Sequence, residues 1–142
     1  MEVDALGRVS PQLAVMASYT YLDAKVTEDP VYQGTRLANT ARHAGSLWGR
    51  WKFDEQWAAG VGLFAQGQRQ GDNANSFQLP GYARVDAMVS YGFRVGAGKG
   101  SVQFNLKNVF DKVHYTGSHS LVKDWIQVGA PRTASLTLRL DY

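Results

Sequence analysis

The chain has 142 residues, 44% of them hydrophobic, with 15 glycines and a mean hydropathy of -0.29, enough for one ordinary domain but not for a rich apolar core. No run approaches the roughly 18 apolar residues of a membrane-spanning helix, and the absence of cysteine excludes disulfides and thiolate metal sites. A net charge of +3 with scattered basic residues gives no nucleic-acid footprint.

Along the chain the dominant signal is alternation of period two, which a strand with two unlike faces produces. Seven strands are expected, at 2–9, 12–27, 39–53, 57–69, 82–94, 101–109 and 131–142. No segment keeps a helical period. The connections alternate in length. Ser10-Pro11-Gln12, Asp54-Glu55-Gln56 and Gly96–Gly100 are short, whereas 28–38, 70–81 and 111–130 are long and rich in Gly, Asn, Asp and Pro. Short turns at one end and long loops at the other is the pattern of outer-membrane barrels, with the turns in the periplasm.

The faces sharpen this reading. In the first strand Val3, Ala5, Gly7 and Val9 oppose Glu2, Asp4 and Arg8; in the second Leu13, Val15, Ala17, Tyr19 and Tyr21 oppose Gln12, Ser18 and Thr20. The third sets Ala41, His43, Gly45, Leu47, Gly49, Trp51 and Phe53 against Arg42, Ser46, Trp48, Arg50 and Lys52. Later strands set Ala83, Val85, Ala87, Val89, Tyr91 and Phe93 against Arg84, Asp86, Ser90 and Arg94, and Val102, Phe104 and Leu106 against Gln103, Asn105 and Lys107. The last sets Ala134, Leu136, Leu138, Leu140 and Tyr142 against Thr133, Ser135, Thr137, Arg139 and Asp141. Formal charges stay off the apolar side, except Asp23, Lys25 and Arg69 at the upper strand ends, where headgroups or water are expected to receive them.

A water-soluble sandwich also alternates, but its core would be filled partly by Ala, Gly and Tyr. Lipid demands no such filling; it demands only the exclusion of charge, at about 2–4 kcal/mol for Lys or Arg at the midplane. Trp51, Phe53, Trp57, Tyr91, Phe93 and Tyr142 all fall near the short turns, as an interfacial girdle does, with Tyr19 and Tyr21 nearer the other interface. The reading is an all-β, antiparallel transmembrane β-barrel segment.

Four segments carry a resemblance. Asn39-Thr40-Ala41-Arg42-His43 with Ser46-Leu47-Trp48 resembles an Asn-Thr-Pro-Arg-His…Leu-Trp stretch, with Ala41 in place of the usual proline. Leu79–Asp86, Asn105–Lys112 with Tyr115, and Gly129–Thr133 follow in order. Together they resemble the C-terminal barrel region of TonB-dependent siderophore receptors. The resemblance implies a bacterial outer-membrane location and a barrel of about 22 strands, of which residues 1–142 form the C-terminal part. It also implies a plug domain, absent from these residues, that couples to the TonB system. Tyr142 resembles the terminal aromatic read during barrel assembly. Residues Met1–Ala5 do not read as a signal peptide, so the sequence is expected to be a processed or internal piece. Seven strands leave two unpaired edges, which lipid does not tolerate.

Two groups of residues are site candidates. Arg42, Arg50, Arg84, Asp86, Lys107 and Arg139 point to the lumen, where they contact a plug or guide an anionic ferric complex; the plainer reading is that they solvate the interior and pair with one another. Tyr32, Arg36, Phe77, Tyr115 and Trp125 lie in the long loops, as candidates for gripping a siderophore by stacking and charge; the plainer reading is loop packing.

Chemistry beyond binding is not indicated. His114 and His119, with Asp111 and Asp124, lack a helix to fix a metal-ligand spacing. A triad of these with Ser118 or Ser120 lacks any Gly-x-Ser-x-Gly frame. The Gly96–Gly100 stretch reads as a turn, not a phosphate loop.

No catalytic residue, metal or cofactor is expected, since the siderophore itself carries the iron. The partners implied are a ferric siderophore, outer-membrane lipid, the rest of the barrel and the plug. Two alternatives stand beside transport: a small self-contained or oligomerising barrel serving as anchor or adhesin, and a soluble β-barrel for a small hydrophobic ligand.

Overall fold

The computed structural model describes residues 1–119 and 125–141. Its strands are β1 (Glu2–Arg8), β2 (Leu13–Tyr21), β3 (His43–Lys52), β4 (Trp57–Gln66), β5 (Arg69–Gln70), β6 (Gln78–Leu79), β7 (Tyr82–Val95), β8 (Gly98–Lys107), β9 (Tyr115–Ser118), β10 (Ile126–Val128) and β11 (Thr133–Asp141). Seven of them make one antiparallel sheet in the order β1-β2-β3-β4-β7-β8-β11, so the expected seven spanning strands are present. The other four form two short ribbons, β5 with β6 and β9 with β10, inside segments that, Arg69 apart, were expected to be plain loops. β1 and β11 are left as the sheet's two edges.

The strands stop sooner at the loop end than alternation alone predicts. β2 ends at Tyr21 and β3 begins at His43; a strand starting at 39 is ruled out because Asn39 takes a left-handed φ of 59° that an extended strand cannot contain. Arg69 does not continue β4; it opens the first ribbon and is buried, rather than reaching headgroups or water as its face suggested. At the short turns the side chains do what their types allow. Ser10 Oγ accepts from the N–H groups of Gln12 and Leu13 at 3.2 and 3.0 Å. Asp54 Oδ1 accepts from those of Gln56 and Trp57, both at 2.7 Å, and these bonds hold its carboxyl below the usual carboxylate range. Gly96, at φ 58°, makes the two-residue turn between β7 and β8.

Neither side of the sheet forms a core. Among the described residues only Ala58 and Leu79 are buried apolar side chains. Leu136 is 70% exposed, Leu138 62% and Val61 56%, all on the uncharged side, while Trp57 packs on Tyr91 at 4.7 Å near the turns. A soluble sandwich would have sealed these residues. The opposite side is not uniformly polar. Leu6, Met16 and Trp48 lie in one cross-strand row, and the Trp48 ring lies across Gly62 so closely that a β-carbon there would sit 2.1 Å from it.

The outward face therefore makes a test possible. Val61→Arg at a site 56% exposed would be nearly neutral, within about 0.5 kcal/mol, in a protein surrounded by water. In the assembled barrel refolded into lipid vesicles we expect a loss of about 2–4 kcal/mol by denaturant titration. A neutral result would remove the membrane from this face.

Candidate functional site: a stapled loop cap over the barrel wall

The loop end is held together by asparagines in left-handed conformation, a backbone region that Asn tolerates better than most residues. Asn108 (φ 51°), just past β8, is 2% exposed. Its Nδ2 donates to the carbonyls of Lys112 and Ala130 at 3.0 and 3.2 Å, and its Oδ1 accepts from Lys112 N–H at 3.0 Å. Its own N–H donates to Asp86 Oδ1 at 2.8 Å. Asp86, on β7, also receives Arg84 Nε and Nη2, each at 3.0 Å, and the Arg84 guanidinium lies over Phe64 at 5.0 Å. Asp111 (φ 51°) then accepts from Arg132 N–H at 2.7 Å, which fixes the entry into β11. Three of the segments that looked like receptor motifs thus meet in one latch.

Two further asparagines join the loops to one another. Asn39 receives Ser118 N–H at 2.9 Å, donates to Ser118 O at 2.7 Å, and its N–H donates to Gln70 O at 2.7 Å. Asn75 (φ 57°) exchanges two 2.8 Å bonds with the backbone of Arg36. The loop at 28–38 and both ribbons are therefore one connected cap.

Inside the cap Arg69 is 2% exposed, and burial pushes its guanidinium pKa down. It donates to Gln66 Oε1 at 3.1 Å and to Tyr115 O, while its Nε lies buried without a hydrogen bond. Its charge approaches the Tyr82 ring at 6.0 Å; His114, also buried, packs on Tyr82 at 4.6 Å. Just below, on the inner side of the wall, Ser18, Thr20, Ser46, Phe64, Gln66 and Tyr82 line an open hollow of about 300 Å³. The Ser18 and Ser46 hydroxyls are bonded at 2.8 Å. This surface offers hydroxyl and amide groups beside aromatic rings, and the cations at its margin are already committed, Arg84 to Asp86 and Arg69 to Gln66 and Tyr115.

The candidates from sequence divide by what holds them. Of the inner charges, Arg84 and Asp86 pair with each other, Arg42 pairs with Asp23 at 3.0 Å, and Arg139 pairs with Asp141 at 3.0 Å. Arg50 and Lys107 are exposed on the inner side. Of the loop residues, Arg36 and Tyr115 are tied in by their backbones and Phe77 lies over Gly71. Tyr32 lies in a local turn capped by Asp29, its N–H donating to Asp29 Oδ1 at 2.8 Å. Trp125 is the exposed one, stacked on His119 at 5.7 Å. His114 and His119 are thus engaged with different rings. Tyr142, Ser120 and Asp124 lie outside the described residues. Sequence reasoning missed Asn39, Asn75 and Asn108 as staples and Arg69 as a buried loop anchor. The only signal was Asn in a loop bend, which many surface loops share.

An open antiparallel arc with an uncharged outer face, a charged inner face and a loop cap at one end defines a segment of an outer-membrane β-barrel. Residues 1–109 match the family described as TonB dependent receptor-like, beta-barrel, and the chain belongs to that family. It is similar to the metal-pseudopaline receptor CntO of Pseudomonas aeruginosa, at 36% identity over 96% of this chain and 19% of the relative. It is similar also to the ferrichrome outer membrane transporter/phage receptor of Escherichia coli K12, at 36% identity over 79% of this chain and 16% of the relative. The crystal structure of the siderophore receptor PiuA from Acinetobacter baumannii superposes with a TM-score of 0.82 at 26% identity, over 96% of this chain and 20% of that one. The chain spans about a fifth of the length of these relatives.

The latch can be tested without reference to transport. Asn108→Ala leaves Lys112 N–H and the carbonyls of Lys112 and Ala130 without their partner, at about 1–3 kcal/mol per buried group. Asn108→Gly loses the same bonds but not the backbone fit, and is expected to be milder than Ala by about 1 kcal/mol. Denaturant titration of the assembled barrel reads both. Equal, small losses would mean that the latch contributes nothing.

Proposed function

We propose that this chain is a wall segment of an outer-membrane receptor that imports ferric siderophores by TonB-coupled active transport. The observation that carries the reading is family membership together with two relatives at 36% identity whose names are those of a metallophore receptor and a ferrichrome transporter. The geometry supports it. Three loops are stapled into one cap that carries an exposed Trp125, above an inner hollow lined by hydroxyls, an amide and two rings. Such a surface suits an oxygen-rich chelate that brings its own iron, so neither a protein metal ligand nor a catalytic group is needed. The receptor reading makes the chain a transport part and not an enzyme.

The remaining partners follow from the same reading. The apolar row Leu6, Met16 and Trp48 on the inner side gives a folded plug something to pack against, which a water-filled channel would not require. Strands on either side of β1 and β11 complete the wall, and the plug carries the contact with TonB. An anchor or adhesin needs no such stapled cap over a lumen. A lipocalin-like soluble barrel needs the apolar side turned inward, where the charges are.

Uptake of radiolabelled iron as the ferric siderophore, by cells bearing the complete receptor, is the direct test. Trp125→Ala combined with Tyr115→Ala is expected to lower apparent affinity about tenfold or more, about 1.4 kcal/mol, with the receptor still folded. Residues 1–142 alone should bind no siderophore specifically. Unchanged uptake after removal of 28–38 and 111–130 together would refute the cap as the ligand-gripping element.

A further inference from the structure

On the inner side of the wall one cross-strand row reads Thr20, Ala44, Gln66 and Tyr82, and the row beside it reads Ser18, Ser46 and Phe64. Ala44 is too small to fill its row, and the hollow of about 300 Å³ opens there, between Thr20 and Gln66. The strands concerned are β2, β3, β4 and β7, each paired on both sides within the chain. This patch of wall is therefore complete in these residues.

A glutamine side chain ends in an acceptor oxygen and a donor nitrogen, and a free one turns either end towards a ligand. Gln66 has no such choice. Arg69 Nη1 donates to Gln66 Oε1 at 3.1 Å, and a guanidinium, which carries no acceptor, can face only the oxygen end. The amide oxygen is thereby spent on the cap, and the Nε2 hydrogens are left for the hollow. Arg69 is itself fixed. Its Nη2 donates to Tyr115 O, its charge lies 6.0 Å from the Tyr82 ring, and the residue is only 2% exposed.

We propose that Gln66 is the specificity-determining donor of the hollow, and that Arg69 is the positioning residue that turns its amide. The hydroxyls of Ser18, Thr20 and Ser46 rotate to donate or accept, as the mutual bond of Ser18 and Ser46 illustrates. The fixed amide alone sets the sense of the contact. It recognises an acceptor oxygen and rejects a donor group, which would leave both partners unpaired. The ligand class is a chelate arm that ends in a carbonyl, hydroxamate or carboxylate oxygen, with an apolar part set against Phe64 and Tyr82. That the arm belongs to a ferric chelate rests on the transport reading; the direction of the amide does not.

The probes are two small neutral molecules: N,N-dimethylacetamide, which only accepts hydrogen bonds, and pyrrole, which only donates. Each is titrated against the complete receptor in lipid, with nitrogen-15 in its glutamine side chains, by solid-state NMR. The Gln66 signal is the one lost in Gln66→Met, and Gln12, exposed at a short turn, is the reference. Dimethylacetamide is expected to move the Gln66 signal saturably, and pyrrole is not. Arg69→Met frees the amide and should weaken that response about fivefold, the scale of one oriented hydrogen bond, while pyrrole begins to compete. Arg69→Lys keeps a donor against Gln66 Oε1 and should restore the preference for the acceptor, which a merely structural role for Arg69 would not require. Heat-modifiable gel migration verifies folding. Should Arg69→Met not fold, Gln66→Glu keeps a partner for Arg69 but offers no N–H, and must abolish binding read on the methyl signals of dimethylacetamide. No saturable shift at Gln66, an equal shift with pyrrole, an unchanged preference in Arg69→Met or retained binding in Gln66→Glu would overturn the proposal. None of these outcomes touches uptake of a ferric siderophore, which tests the transport reading separately.

Discussion

The ladder of backbone hydrogen bonds is what everything else in this chain depends on. In hydrocarbon an unpaired N–H or C=O has no water to turn to, so a wall that crosses a membrane must pair every strand on both sides. Five of the seven spanning strands meet that requirement internally; β1 and β11 do not. The seven strands therefore make sense only as part of a closed barrel, which agrees with a chain covering about a fifth of its relatives' length. The same requirement explains why the chain tolerates having almost no apolar core. Its stability is carried by the ladder and by the ends, where the latches sit.

Once the ladder is given, each side of the wall answers to a different solvent. The outer side is selected for what it omits, and small residues such as Gly45, Gly49 and Ala65 serve there as well as leucine. The inner side is selected for what it holds. Arg84 is pinned on Asp86 and on the ring of Phe64, and Trp48 is seated on a glycine that leaves room for it. Any side chain at Gly62 would collide with that ring, so the glycine is there for packing rather than for a turn.

The strands could be read from the sequence because a two-faced wall writes its period directly into the residues. Leu136, Leu138 and Leu140 alternate with Thr137 and Arg139, and no other regular structure produces that. The inner pairing of Arg84 with Asp86 follows from the same parity. What could not be read was the cap. Whether Asn39, Asn75 and Asn108 adopt a left-handed backbone depends on partners dozens of residues away, such as Ser118 for Asn39, and no local pattern encodes that. Arg69 misled for a similar reason. Its parity matched the lipid side, but the chain bends after Gln66, and the side chain turns into the cap to reach Tyr115.

The staples also bear on how such a cap can change in evolution and in action. A loop that closed on a ligand alone would be free to vary alone. Here the 28–38 loop is joined to Asn75 through the backbone of Arg36, and the second ribbon is joined to Asn39 through Ser118, so a displacement of one segment strains the next. These joints use backbone atoms and asparagine side chains, and they leave the Trp125 ring outside the staples. The cap can then exchange its exposed residues while keeping the frame that presents them. That division suits a wall whose relatives carry the names of receptors for different chelates: the frame answers to the barrel, and the exposed rings are left to differ.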